Sequence, residues 1–317
     1  MKYYGGIDLG GTNSKIGLLD EKGNIIFTVY AKTESSYGYE AIVKKLIDIL
    51  KVEMKNRDIE FENLISLGVG VPGPVVNKST VLMWANFPWP KDLNLAEAFS
   101  KELGKPVFID NDVNVITLGE LWVGAAKGYK NVLGMAVGTG IGAGVVVNGE
   151  VVSGKNGAGG EIGHITLEKN GKLCGCGKRG CFEAYASSTG ITRLAIDRLT
   201  VNKSNMLYEV TKDRKPETID VFECAKQGDE FSLSIVDETC ERLAQGISQA
   251  LTILDSDVVV IGGGVALAGD FLIDKIKKYI PEFLIPSIAQ NIEIKVAKLG
   301  NDAGIYGAAY LAMQSVK

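Results

Sequence analysis

The sequence predicts a two-domain α/β protein, and three observations carry that reading. Its 317 residues exceed the roughly 100–200 of a usual single domain. Apolar runs of strand length alternate with longer segments of helical period. One grammar, strand then glycine turn then strand, opens both halves of the chain.

The first half begins with apolar segments at Tyr3 to Leu9, Lys15 to Leu19 and Ile25 to Tyr30, separated by Gly10-Gly11-Thr12 and Glu21-Lys22-Gly23. They read as a three-stranded meander. Ile42, Val43, Leu46, Ile47, Ile49, Leu50 and Met54 then recur at helical spacing among lysines and acids, which predicts one long amphipathic helix. A strand from Ile65 to Val71 stops at Pro72-Gly73-Pro74. A short helix is expected at Asn94, with Glu97 three residues on and Gly104 behind it. The strand Val107 to Ile109 then delivers Asp110-Asn111-Asp112 at its end.

The second half repeats this grammar. A strand from Val132 to Val137 meets the turn Gly138-Thr139-Gly140-Ile141-Gly142, a second strand follows at Ala143 to Val147, and Asn148-Gly149 closes a hairpin. A later strand, Val258 to Ile261, runs into Gly262-Gly263-Gly264 and a helical segment. The parallel suggests an internal duplication of structure with little identity of letters. The domain boundary is expected just after Asp112. Residues 1–112 with about 302–317 would form a small domain, and 113–301 a larger one.

Composition narrows the class. Hydrophobic residues make up 46% and charged residues 23% of the chain, as in ordinary soluble globular proteins. No apolar run approaches the ~20 residues that cross a bilayer, and Met1-Lys2-Tyr3-Tyr4 offers no basic-then-apolar leader. A membrane partner is not expected, and the cytoplasm is the expected compartment. The net charge of −4, from 34 basic and 38 acidic residues, leaves no positive field to hold a nucleic-acid backbone. Five cysteines in a reducing compartment argue against a disulfide framework. Three of them, Cys174, Cys176 and Cys181, lie within eight residues, which suggests a metal.

Asp8-Leu9-Gly10-Gly11-Thr12-Asn13 joins two strands by a turn whose glycines let backbone N–H groups approach an anion, so a phosphate fits there. Asp8, at a strand end, would hold a hydrated magnesium ion, which takes few carboxylates and keeps its waters. Gly138-Thr139-Gly140 is a second such turn, and two facing turns would grip β- and γ-phosphates. A plain hairpin accounts for either turn alone. Neither matches the Walker or dinucleotide fingerprint. Gly263 and Gly264, after a buried strand, would let an adenosine lie against bare backbone, although a close strand–helix crossing needs glycine there equally.

At Asp110-Asn111-Asp112-Val113-Asn114 a strand end gathers two carboxylates and two amides where a helix starts. Asp112 or Asp110 is a candidate general base for activating a hydroxyl. The plainer alternative is that Asn111 or Asp112 caps the helix. His164, the only histidine, stands ten residues before the C-x-C-x4-C cluster. With Cys174, Cys176 and Cys181 it supplies the four donors of a closed tetrahedral zinc site. Cys224 and Cys240 lie in helical segments as small apolar residues.

Asp8-Leu-Gly-Gly-Thr12, Asn111-Asp112, Gly160-Glu161-x-Gly-His164 and Cys174-x-Cys176-Gly-x-x-Gly-Cys181-x-Glu183 resemble, in order and spacing, the ROK family of sugar kinases and related repressors. The similarity runs from Tyr4 to the C-terminal helix and looks strongest toward the family's bacterial glucokinases. It implies an actin-like, ribonuclease H-type fold of two α/β domains around a cleft that takes ATP, Mg2+ and a hexose. Asp112 would be the catalytic base, and Asn111, Glu161, His164 and Glu183 would hold sugar hydroxyls. His164 would also bind zinc through its other ring nitrogen. Asn86 and Gly73 stand where the family places further sugar-side residues. Asp110 occupies a position more often Glu in the family.

The resemblance implies phosphorylation of a hexose 6-hydroxyl, glucose first, with fructose, N-acetylglucosamine, N-acetylmannosamine and allose kinases sharing the motifs. It also implies a homo-oligomer, dimer or tetramer. The family's sugar-sensing repressors carry a DNA-binding helical domain ahead of the first strand, and here strand one begins at Tyr3. An actin-like filament or chaperone ATPase would share the phosphate turns without the cysteine cluster.

Overall fold

The computed structural model describes residues 1–85 and 87–316. By its internal contacts the chain divides into two compact units, Met1–Gly134 with Gly144–Gly160 and Lys298–Lys317, and Met135–Ala143 with Glu161–Ala297.

The first unit is built on a five-stranded sheet. β1 (Tyr3–Leu9), β2 (Asn13–Asp20) and β3 (Ile25–Lys32) form an antiparallel meander in which Asp8 stands opposite Lys15. Helix α1 (Tyr39–Lys55) buries Ile42, Leu46, Ile47, Leu50 and Met54 on one stripe, as the helical period requires. β4 (Leu64–Val71) returns parallel to β1. Three short strands, β5 (Val75–Val76), β6 (Thr80–Val81) and β7 (Leu93–Asn94), make a small antiparallel sheet before α2 (Leu95–Leu103). At the start of α2 the Asn94 side chain accepts from the Glu97 N–H, and Gly104 ends the helix in the left-handed region, so both punctuation signals act as expected. β8 (Val107–Asn111) runs parallel to β4 and leads straight into α3 (Asp112–Trp122). The order is β3-β2-β1-β4-β8.

β9 (Val132–Val137) and β10 (Ile141–Val147) each pass from one unit to the other. β11 (Glu150–Val151) pairs back on β10 through Asn148 and Gly149, whose φ values of 53° and 83° suit a tight hairpin. The second unit continues with α4 (Glu183–Ala186), α5 (Ser188–Leu199), α6 (Met206–Thr211), α7 (Thr218–Lys226) and α8 (Glu230–Leu254). Then come β12 (Val258–Gly262), α9 (Asp270–Phe283), α10 (Pro286–Ala289) and β13 (Glu293–Val296). The second sheet has the order β11-β10-β9-β12-β13, with β12 and β13 parallel. Both sheets therefore repeat one plan, a meander followed by two parallel strands beside its first strand. This is the actin-like α/β architecture.

The C-terminal helix α11 (Ala303–Ser315) belongs to the first unit, where it packs against β1, β4 and α3. Ser66 of β4 donates to the Ala312 carbonyl at 3.1 Å. On α3 the buried Glu120 accepts from the backbone N–H groups of Ala125, Lys298 and Leu299 at 2.7–2.9 Å, which anchors the chain as it enters α11. The packing of α3 on α11 carries residues 113–134 into the first unit, beyond the boundary expected after Asp112. No helix among the described residues is long and apolar enough to cross a membrane.

Candidate active site

Asp112 sits where β8 turns into α3. Asn111 is the N-cap, its Oδ1 accepting from the N–H of Val113 at 2.9 Å and of Asn114 at 3.4 Å. The capping reading of Asn111 is therefore correct as far as it goes. Its Nδ2 donates to the Gly73 carbonyl at 3.2 Å. Gly73 has a φ of 133°, and any Cβ there would collide with the Met83 carbonyl, so only glycine presents this acceptor. Asp112 Oδ1 accepts from the Val113 N–H at 2.9 Å. Burial pushes the Asp112 carboxyl from its ordinary 3.8 up to about 6, the Val113 N–H working against this and the negative charge of Asp8 adding to it. A carboxylate so placed is ionised at neutral pH yet holds a proton more readily than a solvated one, as a general base requires.

A pH dependence follows. With Asp112 as the candidate base, the working form would be the ionised one, and kcat/KM for the hydroxyl substrate should be level above pH 7. It should fall about tenfold per pH unit below about 6. A steady-state profile between pH 5 and 8.5 checks this, and a level response down to pH 5 would contradict it.

Asp8 is the penultimate residue of β1, beside the first glycine turn. Burial raises its carboxyl, opposed by the charge of Lys15 on the neighbouring strand. Lys15 is itself nearly buried and pairs with Asp302 and the Asn301 carbonyl at the start of α11. The turn is braced from β3 and its end. Thr33 donates from its N–H to the Thr12 carbonyl at 2.9 Å and from its hydroxyl to the Gly10 carbonyl at 2.7 Å. The stretch Gly11, Thr12 and Asn13 is exposed.

In the second unit, Gly138-Thr139-Gly140 is held in the same way. Ser188 donates to the Gly138 carbonyl at 2.8 Å, and the Thr189 hydroxyl to the Thr139 carbonyl at 2.8 Å, both from the first turn of α5. Gly263, with a φ of 86°, lies so close to Val137 that a Cβ would come within 2.5 Å of its carbonyl oxygen. This supports a close backbone crossing there, and leaves Gly264 at the head of a 3-10 turn.

His164, Cys174, Cys176 and Cys181 bring one ligand atom each to within 4.8 Å of one another. His164 Nδ1 is 3.7 Å from Cys174 Sγ, and the Sγ atoms of Cys176 and Cys181 are 3.7 Å apart. A tetrahedron of zinc–sulfur bonds of about 2.3 Å has edges of about 3.8 Å, so these residues fit that ion. Burial, with the hydrogen bond to Glu183, pushes the Cys174 thiol up to about 12. Three thiolates held together need a cation's charge. The remaining ring nitrogen, His164 Nε2, lies 3.9 Å from Glu161 Oε2, and Glu183 Oε1 is 2.8 Å from Cys174 Sγ. Glu183 also accepts from the Ile141 N–H at 3.5 Å, just past the second glycine turn.

The first unit thus gathers Asp8, Gly10, Gly11, Thr12, Asn13, Gly73, Asn111 and Asp112, and the second gathers Gly138, Thr139, Gly140, Glu161, His164, Glu183, Gly263, Gly264 and the three cysteines. Asn86 lies outside the described residues. Sequence reasoning passed over Lys15, though a lone lysine inside an apolar strand was a legible signal.

Residues 4–315 match the ROK family. A glucokinase of Halalkalibacterium halodurans is 37% identical over 316 residues, 99% of this chain and 96% of its own length. A ROK hexokinase from Thermus thermophilus superposes with a TM-score of 0.84 at 30% identity, over 99% of each chain. A ROK family glucokinase from Streptomyces griseus, solved in complex with glucose and AMPPNP, gives a TM-score of 0.76 at 29% identity, over 98% of this chain and 99% of its own.

Proposed function

The chain belongs to the ROK family, and from that premise we propose that it transfers the γ-phosphoryl group of ATP to the 6-hydroxyl of glucose. It is an ATP-dependent hexose kinase. The observation that carries the mechanism is Asp112, a half-buried carboxylate raised to about 6 at the head of α3. Asp112 takes the proton of the 6-hydroxyl as that oxygen attacks the γ-phosphorus, the bond to the β-phosphate oxygen breaks, and ADP leaves. The proton then passes to solvent.

Asn111, Gly73, Asn86, Glu161, His164 and Glu183 take the sugar hydroxyls. Asn111 is already oriented by its bonds to Gly73 and α3, and His164 by its place among the cysteines. The turns Gly10 to Asn13 and Gly138 to Gly140 offer N–H groups to the phosphates, and Gly263 and Gly264 lie against the adenosine. Magnesium, held at Asp8 with ATP, would neutralise charge on the transferring phosphates. His164, Cys174, Cys176 and Cys181 would hold a structural zinc with no open position. The same reading places the protein in the cytoplasm as a homo-oligomer, dimer or tetramer.

ADP release against a panel of hexoses tests the substrate. Glucose should give the highest kcat/KM among glucose, mannose, fructose, N-acetylglucosamine and N-acetylmannosamine. An acetamido sugar ranking first would overturn glucose and leave the kinase standing. ATP-dependent turnover of no sugar would overturn both.

A further inference from the structure

Asp110 precedes the catalytic elbow and is 2% exposed. Its Oδ1 accepts from the N–H of Asn111 at 2.7 Å and from Nδ2 of Asn114 at 2.8 Å. One oxygen therefore ties down the residue before Asp112 and the residue two after it. Asn111 in turn reaches Gly73 on one side and the first turn of α3 on the other. Asp112 is the apex of this bracket, flanked on one side by the backbone N–H of Asn111 and on the other by the side chain of Asn114, both bound to Asp110.

The fold gains little from this arrangement. Capping of α3 is already supplied by the side chain of Asn111. Burying a carboxylate is costly, and burial accordingly raises Asp110, with the bonds from Asn114 and Asn111 opposing. No described protein group pairs with Asp110 Oδ2 or with Asn114 Oδ1. A buried network with two unpaired acceptors stabilises less than an apolar replacement would. What it supplies is geometry.

We propose that Asp110 is a positioning residue for phosphoryl transfer, acting through Asn111 and Asn114 to hold Asp112 in line with the attacking hydroxyl. This rests on the assignment of Asp112 as the base. Asp110 works by accepting hydrogen bonds, not by its charge, and so an amide of the same shape can replace it. Its partner in the bracket, Asn114, is 3% exposed and makes no other side-chain hydrogen bond to a described residue.

The test is a comparison of Asp110→Ala, Asp110→Asn and Asn114→Ala in the full-length protein, each checked for folding by thermal denaturation. Misplacement of a catalytic group by about 1 Å costs roughly 100-fold. Asp110→Ala should lower kcat about 10- to 100-fold while KM for ATP stays within about threefold. Asp110→Asn should return kcat to within about fivefold of wild type, because the Oδ1 acceptor survives. Asn114→Ala removes one arm and should fall between the two. If Asp110→Asn abolishes turnover as fully as Asp112→Asn, Asp110 acts through its charge or proton, and the proposal is wrong. If a folded Asp110→Ala or Asn114→Ala keeps wild-type kcat, there is no bracket. Should Asp110→Ala not fold, the Asn114 and Asp110→Asn variants decide alone. Failure of the base assignment itself would show separately, as an active Asp112→Asn.

Discussion

Asp112→Asn should lower kcat by about 10²- to 10⁴-fold, the usual size of a general-base contribution. The amide keeps the size of the acid and its acceptor oxygen, so the bond from the Val113 N–H can survive. Sugar affinity should therefore change far less than turnover, the pattern of a group that acts in the transition state. Isothermal titration with glucose beside steady-state kinetics separates the two. A variant retaining more than about a tenth of wild-type kcat would remove Asp112 from the role of base.

The same substitution should raise stability. Because burial lifts the Asp112 carboxyl from 3.8 to about 6, the folded state binds more protons than the unfolded one across that window. Stability contributed by this group is thus highest below pH 4 and is lost as pH rises through about 6. At neutral pH the ionised carboxylate costs the fold up to about 3 kcal/mol. Asn carries no such cost, and Tm at pH 7.5 should rise by several degrees. A lower kcat with a higher Tm cannot be mistaken for partial unfolding. A lower Tm would mean that the carboxylate stabilises the elbow, contrary to its environment.

How much of this was legible in the sequence depends on whether the signal was local. The meander of β1 to β3, the amphipathic α1, the cap at Asn94 and the strand end at Asp112 are written in residues a few positions apart, and the structure has them where the period and the turn chemistry put them. The helices between Glu183 and Leu254 are legible in the sequence only at the settings of Cys224 and Cys240. α5 begins at Ser188 because Ser187 caps it, a signal crowded by the glycines and cysteines before it. The repeated sheet order was foreshadowed by the two glycine turns, while β13 is a strand of four residues that period alone cannot distinguish from a loop. Long-range facts were out of reach. That Glu120 would catch the chain at Lys298 and draw α3 into the first unit depends on a contact across 178 residues. The bracket formed by Asp110 needed atoms rather than letters: the residues alone offered Asp110 and Asp112 as rival bases, the family resemblance pointed to Asp112, and the bonds that Asp110 makes to Asn111 and Asn114 are visible only in the structure.

Cys176→Ser should strip the protein of zinc and raise KM for the sugar about tenfold or more, with ATP affinity nearly unchanged. Cys176 is the exposed member of the cysteine set, so serine there disturbs no packing. Cys181 is fully buried and Cys174 nearly so, and their replacement would confuse metal loss with core damage. A structural zinc supplies about 10–16 kcal/mol of apparent binding energy in small domains, and a hard hydroxyl in place of a thiolate gives up much of it. The consequence for the sugar comes through two residues. His164 faces the cysteines with Nδ1 and Glu161 with Nε2, so freeing one nitrogen lets the ring turn and misplaces the other. Glu183 stands two residues after Cys181 and accepts from Cys174 Sγ. Were zinc bound, Cys174 as a thiolate would have no proton to give and Glu183 would be left for a sugar hydroxyl, whereas without the metal the Cys174 thiol would donate to Glu183 as it does here. Asp8 and Gly10 to Asn13 belong to the other unit, and Gly138 to Gly140 are braced from α5 by Ser188 and Thr189 rather than by the cysteines, so nucleotide should bind as before. Metal analysis with paired glucose and ATP-analogue titrations decides the matter. A variant that has lost its zinc yet binds glucose as tightly as wild type would reduce the cluster to a staple of the fold, and weakening of nucleotide and sugar together would point to general unfolding rather than to His164 and Glu183.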